Sequence, residues 1–198
     1  MSWAETLMLQ EAQRERSFNT MYVLNTSQTW TAPKSAYYKI ICIGAGGRGG
    51  YNYFRDSEYT YGYGGGGGVA IKTKAMQKGE TLTVNVGGSA SCDGMTATAG
   101  NDADTERNVY YSGSGGTASG GDENYNGQSG GGGNGGSVGC IIAGLAMSRD
   151  TIMGGGTSNS GYGIYGHGGG GGVLANDAIQ AVTPSQPAAV IIIPLESI

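Results

Sequence analysis

Short segments of β-branched and other apolar residues recur along the chain, and most of them alternate with polar residues in steps of two. Tyr37–Ile43 is apolar enough to be a buried strand, and Val69–Thr73 and Thr81–Val86 alternate as half-buried strands do. Ala189–Ile193 predicts a last strand that Pro194 stops, because proline removes a ladder hydrogen bond. The hydrophobic pattern therefore predicts a mostly β protein.

Weaker signals lie between these strands. Met21–Leu24, Gln28–Thr31 and Met95–Thr98 are candidates for short strands, and Lys78–Glu80 has the composition of a turn. Ile179–Val182 is predicted as a further short element, with a helix as one possible form. Each of these segments is short, so their pairing depends on contacts that local sequence does not specify.

The N-terminus differs from the rest, because residues 2–16 have helical character. Ser2 and Glu5 form a capping box, and one side of the segment is apolar. The sequence predicts a docking helix at 1–16, a linker with the first strands at 17–34, and a glycine-rich domain at 35–198. A helix this short is marginal alone, and docking on a partner, on another copy or on its own domain remains open.

Glycine changes this picture. All 41 glycines fall between Gly44 and Gly172, many in unbroken runs. A flexible tether is one interpretation, but the net charge is only −4 and apolar segments bracket the runs, whereas disorder favours high net charge. Glycine costs about 0.5–1 kcal/mol relative to alanine in regular structure. An ordered region with so many therefore needs backbones that approach more closely than Cβ atoms allow.

The natural element for such a region is the polyglycine-II helix, which has three residues per turn and must hydrogen bond to neighbouring chains. An internal repeat supports order. Residues 61–69 and 165–173 both read Tyr, Gly, an aromatic residue (Tyr63 or His167), five glycines and then valine. The prediction is a glycine-rich β-sandwich-like scaffold with polyglycine-II helices and long loops, plus a short N-terminal α-helix.

Charge and cysteine content narrow the function classes. The calculated isoelectric point of about 4.9 leaves no basic face for nucleic acid, and no apolar run is long enough to insert into a membrane. The N-terminus lacks the features of a secretory signal, which predicts synthesis in a cytoplasm. Cys42, Cys92 and Cys140 have no metal-site spacing, and two of them are predicted to be buried thiols.

Three motifs resemble catalytic or ligand sites but lack the required context. Gly44–Gly49 has the spacing of a dinucleotide fingerprint without the following helix and acid, and Ser137 and His167 lie in glycine tracts unsuited to a hydrolase. Every second residue from 102 to 106 is acidic, but the spacing is not that of a known calcium-binding loop. We therefore predict a non-enzymatic protein with no cofactor and no metal.

The inserts between glycine runs carry a stronger signal. They are rich in Tyr, Asn and Ser, which binding loops use because tyrosine offers a large contact area at low entropic cost. The alternative is that these tyrosines cover a glycine core that has no side chains of its own. The candidate recognition residues are Tyr51, Tyr53, Phe54, Arg55, Tyr59, Tyr61, Tyr110, Tyr111, Tyr125 and Tyr162.

The order of motifs along the chain resembles a glycine-rich domain of bacteriophage fibre proteins. It runs through residues 29–33, Gly44–Gly47, Gly64–Val69, Gly79–Gly87 and a closing Ala189–Ile192 strand. Glycine-rich segments with Tyr/Asn/Ser loops between them are also similar to the receptor-binding adhesins at the fibre tips of T-even-type phages. The resemblance covers roughly residues 28–195.

This resemblance implies a virion protein of the tail fibre or baseplate that binds a host cell-surface polysaccharide or outer protein. It further implies attachment to other tail proteins, here through residues 1–16, and a homotrimer, although the T-even tip adhesins are single chains. The alternatives are a purely architectural virion subunit, an ice-binding protein with a flat glycine face, and a depolymerase that uses paired carboxylates.

Overall fold

The computed structural model of the chain describes residues 21–53, 59–103, 112–130, 173–175, 178–180 and 186–198. These ranges contain strands and irregular segments but no helix. The strands are β1 (Tyr22–Leu24), β2 (Gln28–Thr31), β3 (Ala36–Ile43), β4 (Gly50–Tyr53), β5 (Tyr59–Gly62), β6 (Val69–Met76), β7 (Thr81–Val86), β8 (Ala90–Cys92), β9 (Met95–Ala97), β10 (Ala118–Ser119), β11 (Glu123–Tyr125), β12 (Val173–Ala175), β13 (Ala178–Gln180) and β14 (Ala189–Ser197). The predicted helix at 1–16 lies outside the described residues.

Ten of the strands form two antiparallel sheets that pack as a sandwich. One, which we call the β3 sheet, has the order β1-β14-β3-β6-β11, and the other, the β7 sheet, has the order β10-β9-β8-β7-β2. The other four strands form two hairpins, β4–β5 and β12–β13. The predicted mostly β, sandwich-like scaffold is confirmed.

The core between the sheets follows the alternation that the sequence predicts. Along β3, Tyr38, Ile40 and Cys42 are buried toward the β7 sheet, where side chains such as Leu82 and Met95 meet them. These residues belong to one continuous apolar cluster that includes members of β1, β2, β8 and β14. Burial of this cluster joins the two sheets, because the apolar face of each sheet is stable only when another layer covers it.

A second apolar cluster explains why the end of β3 is continuously apolar. Ile41 and Ile43 contact Val69, Ile71 and Ile191, and each of these side chains is almost completely buried. Residues one apart on a strand lie on opposite faces, so this cluster is on the face of the β3 sheet turned away from the β7 sheet. The prediction that this strand is buried is therefore confirmed for both of its faces.

At the C-terminal end, the predicted short element is a strand where the structure describes it, and the predicted end of the last strand is wrong. Residues 178–180 form the strand β13, which pairs with β12, so this part of the predicted element at 179–182 is not helical. Pro194 does not stop the last strand, because β14 continues to Ser197 and Pro194 pairs with Tyr38. Within the described residues, the pairing of β14 with β1 ends at Ile192, and a strand tolerates proline where no neighbouring strand needs its N–H.

The glycine-rich segments form a bundle of extended chains at one end of the sandwich. We call residues 44–49, 63–68, 98–103, 112–117 and 126–130 the glycine bundle. Its backbone hydrogen bonds join different segments and recur every three residues. Gly44 N donates to Gly68 O at 2.9 Å, and Gly47 N donates to Gly65 O at 2.8 Å. This three-residue period is that of polyglycine II rather than of a β-ladder.

Close approach of backbones explains why these positions are glycine. A Cβ added at Gly67 would lie well inside 3.0 Å of the backbone of Gly44, and one at Gly64 would meet Gly47 equally closely. Both obstacles are carbonyl groups of a neighbouring segment, which cannot rotate away as a side chain would. Where glycine is present, the Cα hydrogens can instead face these oxygens in weak Cα–H···O contacts.

The bundle extends the sheets without a break in register. Ile43 pairs with Val69 at the end of the β3 sheet, and the hydrogen bonds from Gly44 and Gly47 continue the same antiparallel register. The register of β9 with β10 continues in the same way, since Thr98 N donates to Thr117 O at 2.8 Å. The bundle therefore has a sandwich end and a distal end, and the sheets fix its orientation.

Candidate functional site

The hairpin β4–β5 extends from the distal end of the glycine bundle. Its pairs are Gly50 with Gly62, Tyr51 with Tyr61, Asn52 with Thr60, and Tyr53 with Tyr59. Directly opposed residues share one face of an antiparallel ribbon, and residues two apart on a strand share a face. The register therefore places the four predicted tyrosines on one face of the hairpin, with the Asn52–Thr60 pair on the other.

The bundle sets the distance between this hairpin and the sandwich. Residues 44–49 connect β3 to β4, and residues 63–68 lead back from β5 to β6. At about 3.1 Å per residue, this connection places the hairpin about 19 Å beyond the end of the β3 sheet. Because each connecting segment is hydrogen bonded to others, the hairpin is carried on an ordered support.

A second predicted insert leaves the bundle at the same end. Ala103 N donates to Arg48 O at 2.8 Å, and Gly113 N donates to Tyr63 O at 2.8 Å. The connection between residues 103 and 112 therefore begins and ends beside the base of the tyrosine hairpin. Tyr110 and Tyr111, which lie in that connection, are outside the described residues, as are Phe54, Arg55 and Tyr162.

Tyr125 is separated from the other candidates. It lies on β11 and pairs with Val69, where the bundle meets the β3 sheet. Its ring is partly exposed, and its hydroxyl donates to Oε2 of Glu123 at 2.5 Å. The structure therefore places this candidate at the sandwich end, about one bundle length from the tyrosine hairpin.

Polar side chains that the sequence does not single out for binding hold the distal end together. Asp102 Oδ1 accepts a hydrogen bond from the backbone N–H of Arg48 at 2.7 Å, and Asn101 Nδ2 donates to Ser114 Oγ at 2.6 Å. Asp102, considered from sequence as one acid of an oxygen-ligand series, thus serves as an acceptor for the neighbouring segment. Its partner is brought near only by the bundle, so sequence spacing does not reveal this role.

The motifs with the spacing of catalytic sites have the following positions. Gly44–Gly49 runs as an extended bundle segment, so no helix begins at the third glycine of the fingerprint. Ser137, His167, Asp104 and Glu106 lie outside the described residues. In the part of the chain that is described, no three His, Cys, Asp or Glu side chains form a group able to hold a metal ion.

Cys42 is a buried free thiol, as its apolar sequence neighbours predict, and Cys92 is a second buried free thiol. Burial, with a smaller contribution from neighbouring charges, raises the pKa of Cys42 far above its ordinary value and that of Cys92 to about 11. Both thiols therefore stay protonated near neutral pH, and a protonated thiol is a poor nucleophile and metal ligand. Cys140 lies outside the described residues.

Asp93 forms the main charged cluster of the sandwich surface within the described ranges. Lys74 Nζ lies 2.9 Å from Asp93 Oδ1, and Lys72 Nζ lies 3.3 Å from Oδ2. Partial burial would raise the pKa of Asp93, but the hydrogen bonds from Lys74 and Lys72 outweigh it and lower the pKa below its ordinary value. Asp93 also has a φ of 51°, in the left-handed region that Asp and Asn tolerate best among non-glycine residues.

The substitution Asp93→Asn is expected to remove both ion pairs of Asp93, with Lys72 and Lys74, without straining the backbone. A carboxyl whose pKa is lowered by folding stabilises the protein above its unfolded pKa, and the contribution is lost as pH falls through the folded pKa. The cluster is partly solvent-exposed, so we expect a loss of about 1 kcal/mol or less at pH 7. The difference in free energy of unfolding between the parent protein and this variant should shrink below about pH 4. Urea denaturation of both proteins at pH 7 and pH 3 measures it. An unchanged difference at pH 3 would contradict the assignment.

Within the described ranges, the structure contains no helix with the length and apolar character needed to cross a membrane. Residues 23–148 match the family model described as a glycine-rich domain. Among curated proteins, none matches the chain. The matched range begins in β1, covers the β4–β5 hairpin but not the β12–β13 hairpin, and spans more than half of the chain. The chain therefore belongs to the glycine-rich domain family.

Proposed function

We propose that this chain is a non-enzymatic receptor-binding protein of a bacteriophage tail fibre or baseplate, which attaches the virion to a host cell-surface polysaccharide or outer protein. One observation carries the proposal: the register of β4–β5 gathers four tyrosines on one face of a hairpin at the distal end of a glycine bundle. Ala103 and Gly113, which flank a separate insert, hydrogen bond to the segments at the base of this hairpin.

Physical reasoning favours this end of the molecule as the contact surface. Tyrosine buries a large amphipathic area with little loss of rotamer freedom, and binding sites on ordered supports lose less entropy than sites on mobile loops. The hydrogen-bonded segments 44–49 and 63–68 provide such a support. The proposal includes location in the virion, attachment to other tail proteins through residues 1–16, and assembly as a homotrimer.

The test measures binding of fluorescently labelled, purified protein to a panel of bacterial strains. We expect selective staining of some strains. Changing Tyr51, Tyr53, Tyr59 and Tyr61 to threonine should reduce the affinity at least 100-fold, because central aromatic residues often contribute 2 kcal/mol or more each. Threonine keeps strand propensity, which limits damage to the hairpin.

The matched control is the double variant Asn52→Ala and Thr60→Ala, which alters the opposite face of the same hairpin. It should stain cells as the parent protein does. Circular dichroism of each variant separates loss of binding from loss of fold. If the tyrosine variant is folded and still stains cells with parental affinity, the assignment of this hairpin is wrong.

An architectural virion subunit without receptor binding is the second candidate. Tyr125 favours it, because its hydroxyl is already bonded to Glu123 and the residue lies at the junction of bundle and sheet. A tyrosine in this position covers the scaffold rather than a receptor. This candidate predicts that folded protein stains none of the strains and instead binds a purified tail component through residues 1–16.

A further inference from the structure

The outer face of the β7 sheet is an ordered array of hydroxyl and amide side chains. Along β7, Thr81, Thr83 and Asn85 are exposed, while Leu82 and Val84 between them are buried in the core. Thr29 and Thr31 on β2, Ser91 on β8, Thr96 on β9 and Ser119 on β10 are on the same outer face and are exposed or half-buried. We call these eight residues the hydroxyl face.

The strand register makes the hydroxyl face continuous. Its members lie directly opposite one another in the pairs Thr31–Thr81, Thr29–Thr83, Asn85–Ser91, Ser91–Thr96 and Thr96–Ser119. Paired strands are about 4.8 Å apart, and every second residue along a strand recurs at about 6.7 Å. The face thus presents rows of hydrogen-bonding groups at a fixed spacing on every strand of the β7 sheet.

A groove of about 330 Å³ crosses this face. Its polar lining comes from Thr83, Asn85, Ser91, Asp93 and Thr96. Volumes from about 300 Å³ are typical of small-molecule sites. Asn85 Nδ2 donates weakly to Ser91 Oγ at 3.4 Å, a long hydrogen bond that a better-placed ligand hydroxyl could replace.

The side chains of the hydroxyl face favour some classes of binding partner over others. Large exposed apolar side chains within the described ranges are Val23, Tyr37, Tyr125, Leu195 and Ile198, and none belongs to this face. Protein interfaces need an apolar or aromatic centre, and nucleic acid needs a basic surface. Asp93 is the charged residue among those that line the groove, and it already faces Lys72 and Lys74.

We propose that the hydroxyl face binds a neutral polysaccharide, with one sugar residue in the groove and its neighbours along the rows of the sheet. Threonine and serine hydroxyls and the asparagine amide both donate and accept hydrogen bonds, so they match sugar hydroxyls, which do the same. An uncharged array complements an uncharged glycan without the desolvation of unpaired charges. The proposal is independent of the tyrosine hairpin, which contributes no residue to this face.

The test is electrophoresis of the full chain in native gels that contain one polysaccharide each. Dextran, laminarin and yeast mannan are the neutral probes, and alginate is the anionic one. We expect retardation by at least one neutral polysaccharide and none by alginate. The triple variant Thr83→Val, Asn85→Ala and Thr96→Val should weaken that retardation at least tenfold, measured as the polysaccharide concentration for half-maximal effect.

Thr73→Val is the matched control, because Thr73 is an exposed threonine on β6 of the other sheet. It should be retarded as the parent protein is. The four-tyrosine variant should also be retarded normally, which separates this proposal from receptor binding by the hairpin. The proposal is overturned if no neutral polysaccharide retards the parent, or if the folded triple variant, checked by circular dichroism, is retarded as strongly as the parent.

Discussion

Gly67→Ala is expected to lower the free energy of unfolding by about 3 kcal/mol or more, a large part of the 5–15 kcal/mol typical of a domain. The new Cβ would overlap the carbonyl group of Gly44 and approach that of Ala45. Neither can move freely, because Gly44 N is bonded to Gly68 O and Ala45 O accepts from Gly100 N at 2.9 Å. The methyl group therefore forces neighbouring segments of the bundle apart and breaks hydrogen bonds.

Gly88→Ala is the matched control for this prediction. A Cβ at Gly88 meets no atom within 4 Å, and the residue is exposed. Removing a glycine there restricts the unfolded chain, so stability should be unchanged or rise by up to about 1 kcal/mol. Urea denaturation followed by circular dichroism measures both variants. Similar stabilities for the two variants would show that close backbone contact does not explain the glycine content.

Tyr38→Ala is the other substitution with a large expected effect, at about 3–5 kcal/mol. Tyr38 is completely buried between the sheets, and its ring meets Trp30 edge-on with centroids 5.2 Å apart. Its hydroxyl donates to Lys34 O at 2.9 Å. Alanine would leave a cavity beside Trp30, whose other aromatic neighbour is Tyr22 at 5.4 Å, and would remove part of the contact between β3 and β2.

The neighbouring residue provides a control of the same type. Tyr37 is on the opposite face of β3 and is 39% exposed, whereas Tyr38 is 0% exposed. Tyr37→Ala should therefore cost about 0.5 kcal/mol, the usual scale for a surface position. The unfolding midpoints of both variants in urea give the comparison. If both variants lost the same free energy of unfolding, the buried and exposed faces of β3 would contribute equally to stability, and the prediction would be wrong.

Most of the strand framework could be predicted from the sequence. Gln28–Thr31 and Thr81–Val86 have the predicted bounds, and β3 and β6 begin or end only a few residues from theirs. These elements are predictable because strict alternation of apolar and polar residues records which side chains meet the core. The same reasoning fails at Pro194, which is predicted to end the last strand. Whether proline breaks a strand depends on whether a neighbouring strand needs its N–H, and local sequence does not show this.

For the candidate site, the sequence predicts which residue types are present but not how they are arranged in space. Tyr51, Tyr53, Tyr59 and Tyr61 stand out as an aromatic insert, but their common face depends on the register of β4 with β5. That register continues from Ile43–Val69 through the glycine segments, so it is set far from the tyrosines themselves. The separation of Tyr125 from them depends on the pairing of β11 with β6, which no local pattern encodes.

The sequence by itself therefore determined the strands, the need for closely packed glycine backbones and the residue types available for binding. Only the tertiary structure decided that the hairpin stands beyond one end of the sandwich and that Thr83, Ser91 and Thr96 share one outer face. The physical reason is that propensity and periodicity act over a few neighbouring residues. Hydrogen bonds such as Gly116 N to Gly66 O join segments that are remote in sequence and form only when the sheets have set the register.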